Sequence, residues 1–213
     1  MTLPTLFLSH GSPLMALAEC NATRFFQALG AGRLLRGWIL NAEPSLAWSV
    51  GEAVLLAMAL TLAFGLAGTL AALRQRQPAL TEGVRLVMAG PANDDYGQRM
   101  QALATQLGLD DVTVWTGMVS GDLKWGAFRC ADAFVLPSHQ ENFGISVAES
   151  LACGVPVLIS NQVNIWREIQ QSGAGMVESD TLAGTERLLQ RWLEAPVADW
   201  QAMRARARPC FEA

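Results

Sequence analysis

The sequence predicts an α/β protein, a Rossmann-like parallel sheet preceded by a single long apolar helix. Three observations predict it. From Gly83 onward, short β-type runs alternate with segments of helical period, the pattern of a doubly wound sheet. Within that region residues 131–160, ADAFVLPSHQENFGISVAESLACGVPVLIS, read as strand, loop, helix and strand, one complete βαβ unit. Upstream, residues 53–73 form a run of twenty-one positions without a charge.

At 213 residues the chain has room for one large or two small domains. It is 51% hydrophobic and 16% charged, an oily balance concentrated in the uncharged run. A net charge of −4 with no basic stripe argues against a nucleic-acid partner. Arg204, Arg206 and Arg208 alternate with other residues near the C-terminus and read as a solvated helix face. Cys20, Cys130, Cys153 and Cys210 make no close pairs, so buried free thiols are expected rather than a disulfide framework or zinc site. His10 and His139 are the only histidines, too few for a histidine-rich metal centre.

Residues 1–31 form a short N-terminal segment. Thr5-Leu6-Phe7-Leu8 is a β-type run leading into Ser9-His10-Gly11-Ser12-Pro13, and Asn21 or Thr23 can cap a helix through Leu29. No basic region precedes the apolar run, which argues against a signal peptide. Residues 32–52 read as a linker with Arg33, Arg36 and Glu43-Pro44.

As a helix, residues 53–73 extend about 31 Å, the thickness of a bilayer's hydrocarbon core. Trp48 stands near one end, and Arg74 with Arg76 closes the other. The run is predicted to be one membrane span with the arginine end, and the domain after it, on the cytoplasmic side. The competing reading is a fully buried helix in a soluble core. Gly65, Ala67, Gly68 and Ala71 offer a small-residue face.

The final domain, 79–213, is ordinary α/β. Val84 to Ala89 is a strand, and Asp94 caps a helix to Leu107 that Gly108 stops. Val112 to Trp115 is the next strand, followed by a helix over Leu123–Cys130. Ala133 to Leu136 is a strand halted by Pro137. The helix from Ile145, with Ile145, Ala148, Leu151 and Ala152 on one face, ends at Gly154, and Val155 to Ile159 is a buried strand. A helix near 165–171, a strand near 175–177 and helices over 181–194 and 197–208 complete four or five strands. Ligands of such sheets bind at the carboxyl ends of the strands, where Gly117, Ser138 and Glu141 fall.

The chemistry-bearing residues lie in the loop and helix after Leu136. Unpaired amides at a helix N-terminus attract phosphate, and Gly144 lets a ligand approach that backbone closely. Glu141 and Glu149 flank the site, which suits a ligand carrying hydroxyls next to phosphates. Spacing leaves a second reading open, in which Glu141 is a solvated loop charge and Glu149 a helix-dipole partner.

Glu141-Asn142-Phe143-Gly144-Ile145-Ser146-Val147-Ala148-Glu149 resembles the donor-site signature of GT-B glycosyltransferases of the group 1 (family 4) type, two glutamates separated by seven residues. GPANDDYGQRMQALATQLGL, VTVWTGMV, the Pro-Ser before the loop and ACGVPVLIS after it fit the same family, in order from about Val84 to Met176. The resemblance implies one GT-B half. Glu149 would hold the ribose hydroxyls of a nucleotide, and Glu141 would address the donor sugar as the catalytic-site residue. Amides around Asn142, Phe143, Gly144 and Ile145 would receive the diphosphate, beside Ser138. The loop of Gly117, Met118 and Val119 would lie against the base. The implied reaction is retaining transfer from a nucleoside-diphosphate sugar, with no metal or other cofactor.

Two departures from the family stand out. Its C-terminal half opens with a strand and a Gly-Arg…Lys-Gly turn, and Ala79 to Val84 leads straight into the second strand instead. No counterpart of the N-terminal, acceptor-binding Rossmann half is present, so such a half on another chain is an expected partner. Residues 1–31 also resemble the N-terminus of DOPA-type extradiol dioxygenases, where His10 would be a metal ligand. The matching ligands are missing, so His10 is read as a loop histidine. FGLAGTLAALRQRQPA resembles a membrane span of ABC-transporter permeases. Three resemblances in one chain imply a truncated or fused frame. The expected function is that of a donor-binding half, weakly active or inactive alone; the alternative is a non-catalytic membrane-anchored module.

Overall fold

A computed structural model of the chain describes residues 5–9, 65–90, 95–139, 141 and 144–213. The chain divides into two compact units, one of Met1–His10 with Leu60–Ala213 and one of Gly11–Ala59, and the described residues all belong to the first. The readings of His10, the helix through Leu29, the linker 32–52, residues 53–64, Asp94, Asn142 and Phe143 lie outside the described residues.

Among the described residues six parallel strands form one sheet in the order β3-β2-β1-β4-β5-β6. They are β1 (Thr5–Ser9), β2 (Arg85–Ala89), β3 (Thr113–Gly117), β4 (Ala133–Leu136), β5 (Val157–Ser160) and β6 (Gly175–Glu178). The parallel Rossmann-like sheet is as the sequence predicts, and so is the strand near residues 5–8, but its place between β2 and β4 in that sheet is not. β1 pairs with β2 on one side, Phe7 opposite Val87, and with β4 on the other, Phe7 opposite Phe134. Residues 5–9 therefore supply the strand that the sequence lacks immediately before Val84. Parallel neighbours are joined by long crossovers, so adjacency in the sheet leaves no mark on adjacency in sequence.

The crossover from β1 back to β2 contains helix α1 over residues 65–76 and the single-turn α2 (Pro78–Thr81). Leu66, Leu70 and Leu73, spaced at helical period, are each only 1% exposed. Leu66 and Ala67 line a small apolar cavity with Leu86 and Met88 of β2 and with Met100 and Ala104 of α3 (Asp95–Gln106). Arg74 at the helix end forms a two-pronged pair with Asp111, both contacts 2.8 Å, and Arg76 bonds to Glu186.

The predicted span over 53–73 is thus not supported where the chain is described. Leu66, Thr69, Leu70, Ala71 and Leu73 are buried against protein, and Arg74 and Arg76 at the helix end pair with carboxylates of the same unit. Among the described residues no helix is long and apolar enough to cross a membrane. Hydropathy could not separate the two cases, because a helix packed on a sheet and a helix in lipid select the same apolar side chains.

The remaining helices among the described residues are α4 (Gly121–Cys130), α5 (Ile145–Ala152), α6 (Trp166–Ser172), α7 (Leu182–Glu194) and α8 (Val197–Glu212). They follow the sequence reading to within a few residues, but the buried face of α5 is different. Val147, Ser150 and Leu151 are buried, whereas Ile145 and Ala148 are partly exposed. Every residue of β4 and β5 is buried, as expected of strands covered on both faces. Cys130 is exposed and Cys153 and Cys210 are half-buried, so these thiols are not the buried ones expected.

Candidate functional site

The strand order reverses between β1 and β4, and the carboxyl ends of strands at such a switch point are where ligands of doubly wound sheets bind. Pro137 ends β4, and the chain turns across this edge before entering α5. Buried Ser160, at the end of β5, donates its hydroxyl to the Ser138 carbonyl and accepts from the Gln162 amide at 3.2 Å. Ser160 thereby ties together the ends of β4 and β5. The sequence reading did not single it out, since one serine after an apolar run carries no pattern.

The loop is also sewn to the β5–α6 connection. The Glu141 amide donates to the Gln162 carbonyl at 3.3 Å, and the Asn164 amide donates to the Glu141 carbonyl at 3.2 Å. Further out, His139 Nδ1 lies 3.2 Å from Asp180 Oδ2.

Gly144 is the residue before α5, with φ 67° and ψ 52°, the left-handed region that favours glycine. A Cβ there would stand 3.0 Å from Val163 Cγ1 and 3.3 Å from Val147 Cγ2. Conformation and space both call for glycine. Its amide donates to Glu141 Oε1 at 3.3 Å, so the partly buried Glu141 carboxylate folds over the start of α5. Glu141 is thus a helix-capping group rather than the solvated loop charge of the second reading, and the contact places its carboxylate at the anion-attracting end of the helix.

Glu149, the helix-dipole partner of the second reading, is paired with a cation of another helix. Its Oε1 lies 2.5 Å from Nζ of Lys124 on α4, with the two side chains 18% and 25% exposed. Lys124 Nζ also stands 5.2 Å from the centroid of the Trp125 ring. The sequence reading missed Lys124, which is twenty-five positions from its partner and lies on a different helix.

Gly117 closes β3 at φ 66° and accepts from the Gly90 amide at 3.0 Å. Beyond it Met118 is 51% exposed and Val119 partly so, an apolar lip leading into α4. The expected site residues therefore fall into two groups. Ser138, Glu141, Gly144, Ile145 and Glu149 gather around β4 and α5. Gly117, Met118 and Val119 sit at β3, three strand spacings or about 14 Å away. The Lys124–Glu149 pair links the helices that follow the two strands. Among the described residues no group of three or more His, Cys, Asp or Glu side chains is placed to hold a metal ion.

A family model described as Glycosyl transferases group 1 matches residues 51–208, which leaves β1 outside the match. The D-inositol 3-phosphate glycosyltransferase of Saccharomonospora viridis is 40% identical over 91 residues, 41% of this chain and 21% of that protein. Across the curated relatives it matches, the chain spans 21–29% of their length. Among solved structures, the lipopolysaccharide-biosynthesis glycosyltransferase WaaG superposes over 100% of this chain and 44% of its own, at 16% identity and a TM-score of 0.60. Anabaena HepE, solved with UDP and glucose, superposes over 68% of this chain and 47% of its own, at 15% identity and a TM-score of 0.54.

Proposed function

The chain belongs to the group 1 glycosyl transferases, and from that membership we propose that its sheet is a donor-binding half taking a nucleoside-diphosphate sugar at the carboxyl edge. One observation carries the reading. Glu141 and Glu149 bracket a helix N-terminus that begins at a left-handed glycine, at the carboxyl edge where the strand order reverses. Helix amides attract phosphate, and carboxylates accept hydrogen bonds from sugar hydroxyls.

In this reading the amides of Gly144 and Ile145 receive the diphosphate. Glu149 accepts from the ribose hydroxyls and Glu141 turns from its capping contact to the donor sugar. Met118 and Val119, exposed at the end of β3, provide an apolar surface for the base, and a nucleoside diphosphate is long enough to bridge the two groups. Asn142 and Phe143, outside the described residues, complete the proposed loop, and Ser138 shapes it through its carbonyl. The solved complex of Anabaena HepE with UDP and glucose supports the ligand class.

Transfer with retention is the finer proposal. Positioning donor against acceptor can supply roughly 7–11 kcal/mol of barrier lowering, and this sheet supplies the donor side. An acceptor-binding half is the proposed partner of this sheet, and residues 1–213 by themselves are proposed to bind donor with little turnover.

Calorimetric titration of the full chain with UDP and with GDP tests the reading. Binding of one of them is expected, weakened in Glu149→Ala by about 1.5–3 kcal/mol, the range for hydrogen bonds to a charged acceptor. Equal affinity of the two proteins would remove Glu149 from the site, and absence of binding to the wild type would remove the nucleotide.

A further inference from the structure

We infer that Lys124 neutralises and positions Glu149, so that a carboxylate able to bind ribose hydroxyls can stand beside a diphosphate. The inference rests on the nucleotide-sugar reading above and assigns a role to a residue outside the glutamate signature.

The electrostatic difficulty is plain from the geometry. The N-terminus of α5 attracts anions, but Glu149 lies about one turn inside the same helix. A bare carboxylate there would oppose the diphosphate that the helix end favours. Its charge is met instead by the Lys124 ammonium, 2.5 Å from Oε1. That ammonium is held on a second side by the Trp125 ring at 5.2 Å, so it has little freedom to swing away. Both side chains are largely buried, which reduces solvent screening. A carboxylate has about four lone-pair sites, so engagement of Oε1 by one ammonium leaves capacity for ribose hydroxyls. Lys124 is thus a positioning residue, acting on the ligand through Glu149.

A double-mutant cycle on the full chain tests this, with UDP titrated into wild type, Lys124→Met, Glu149→Gln and the double variant. In the presence of Glu149, Lys124→Met should weaken UDP about tenfold, and Lys124→Arg should restore most of the loss. In the Glu149→Gln background the same change should cost less than about twofold, because no charge remains to neutralise. Thermal unfolding checks that each variant is folded, and Lys124→Gln replaces the methionine variant if that one is not.

Equal losses in both backgrounds would overturn the inference, since Lys124 would then touch the ligand itself or merely hold α4 to α5. No loss in the wild-type background would overturn it as well. Failure of the wild type to bind UDP or GDP is a different result, visible before any substitution, and would remove the nucleotide reading together with this one.

Discussion

Phe7 and Phe134 are register partners in neighbouring parallel strands, although one lies near the start of the chain and the other in its second half. Because β1 is hydrogen-bonded on both sides, residues 5–9 are part of the sheet. Phe7→Pro should remove one amide from the ladder and leave its carbonyl partner unpaired, at about 1–3 kcal/mol. Deleting residues 1–9 should abolish cooperative urea unfolding. A deletion variant that unfolds with the wild-type midpoint would show that β1 is not in the sheet.

Leu70 discriminates a core helix from a lipid-facing one. Its side chain is 1% exposed within the unit, so Leu70→Ala should destabilise by about 2–5 kcal/mol in urea unfolding. A midpoint and slope unchanged from wild type would place that face of α1 outside the core.

Gly144→Ala should cost about 1–2 kcal/mol for the left-handed backbone alone. The close approach to Val163 adds to this. For a domain of this size the expected fall in Tm is about 2–8 °C. Alanine at the neighbouring position, Ile145→Ala, frees no strained backbone and serves as the contrast. Equal Tm for Gly144→Ala and wild type would refute the strain argument.

The Arg74–Asp111 pair gives a pH dependence whose sign is fixed. The hydrogen bond from Arg74, aided by the attraction of its charge, holds the Asp111 carboxyl below its ordinary range, while partial desolvation opposes it. A depressed folded-state pKa contributes stability that is present above the unfolded value, about 3.9, and is lost as pH falls through the folded one. Asp111→Asn should therefore flatten the acid side of the Tm–pH profile below about pH 4 and leave the neutral side less affected. Asp111 is exposed, so the effect is small and is reduced further by salt. A profile superimposable on wild type down to pH 2 would exclude the pair as a contributor.

What the sequence determined by itself was whatever is written in a local window. The alternation after Gly83, the β4–α5–β5 unit and the two glutamates around Gly144 are runs and spacings of fewer than about thirty residues, and helical and strand periods expose them directly. The family resemblance used those same windows. Tertiary structure decided the rest, because parallel sheets and ion pairs between helices join residues that are distant in sequence. Residues 5–9 became the central strand, although nothing local distinguishes a central strand from an orphan one. Residues 65–73 became a core helix because Leu86, Met88 and Met100 cover it, and an apolar run does not specify what its cover will be. Glu149 acquired Lys124 as its counter-charge only when α4 and α5 packed side by side, since charge partners on separate helices are chosen by the packing and leave no spacing to read.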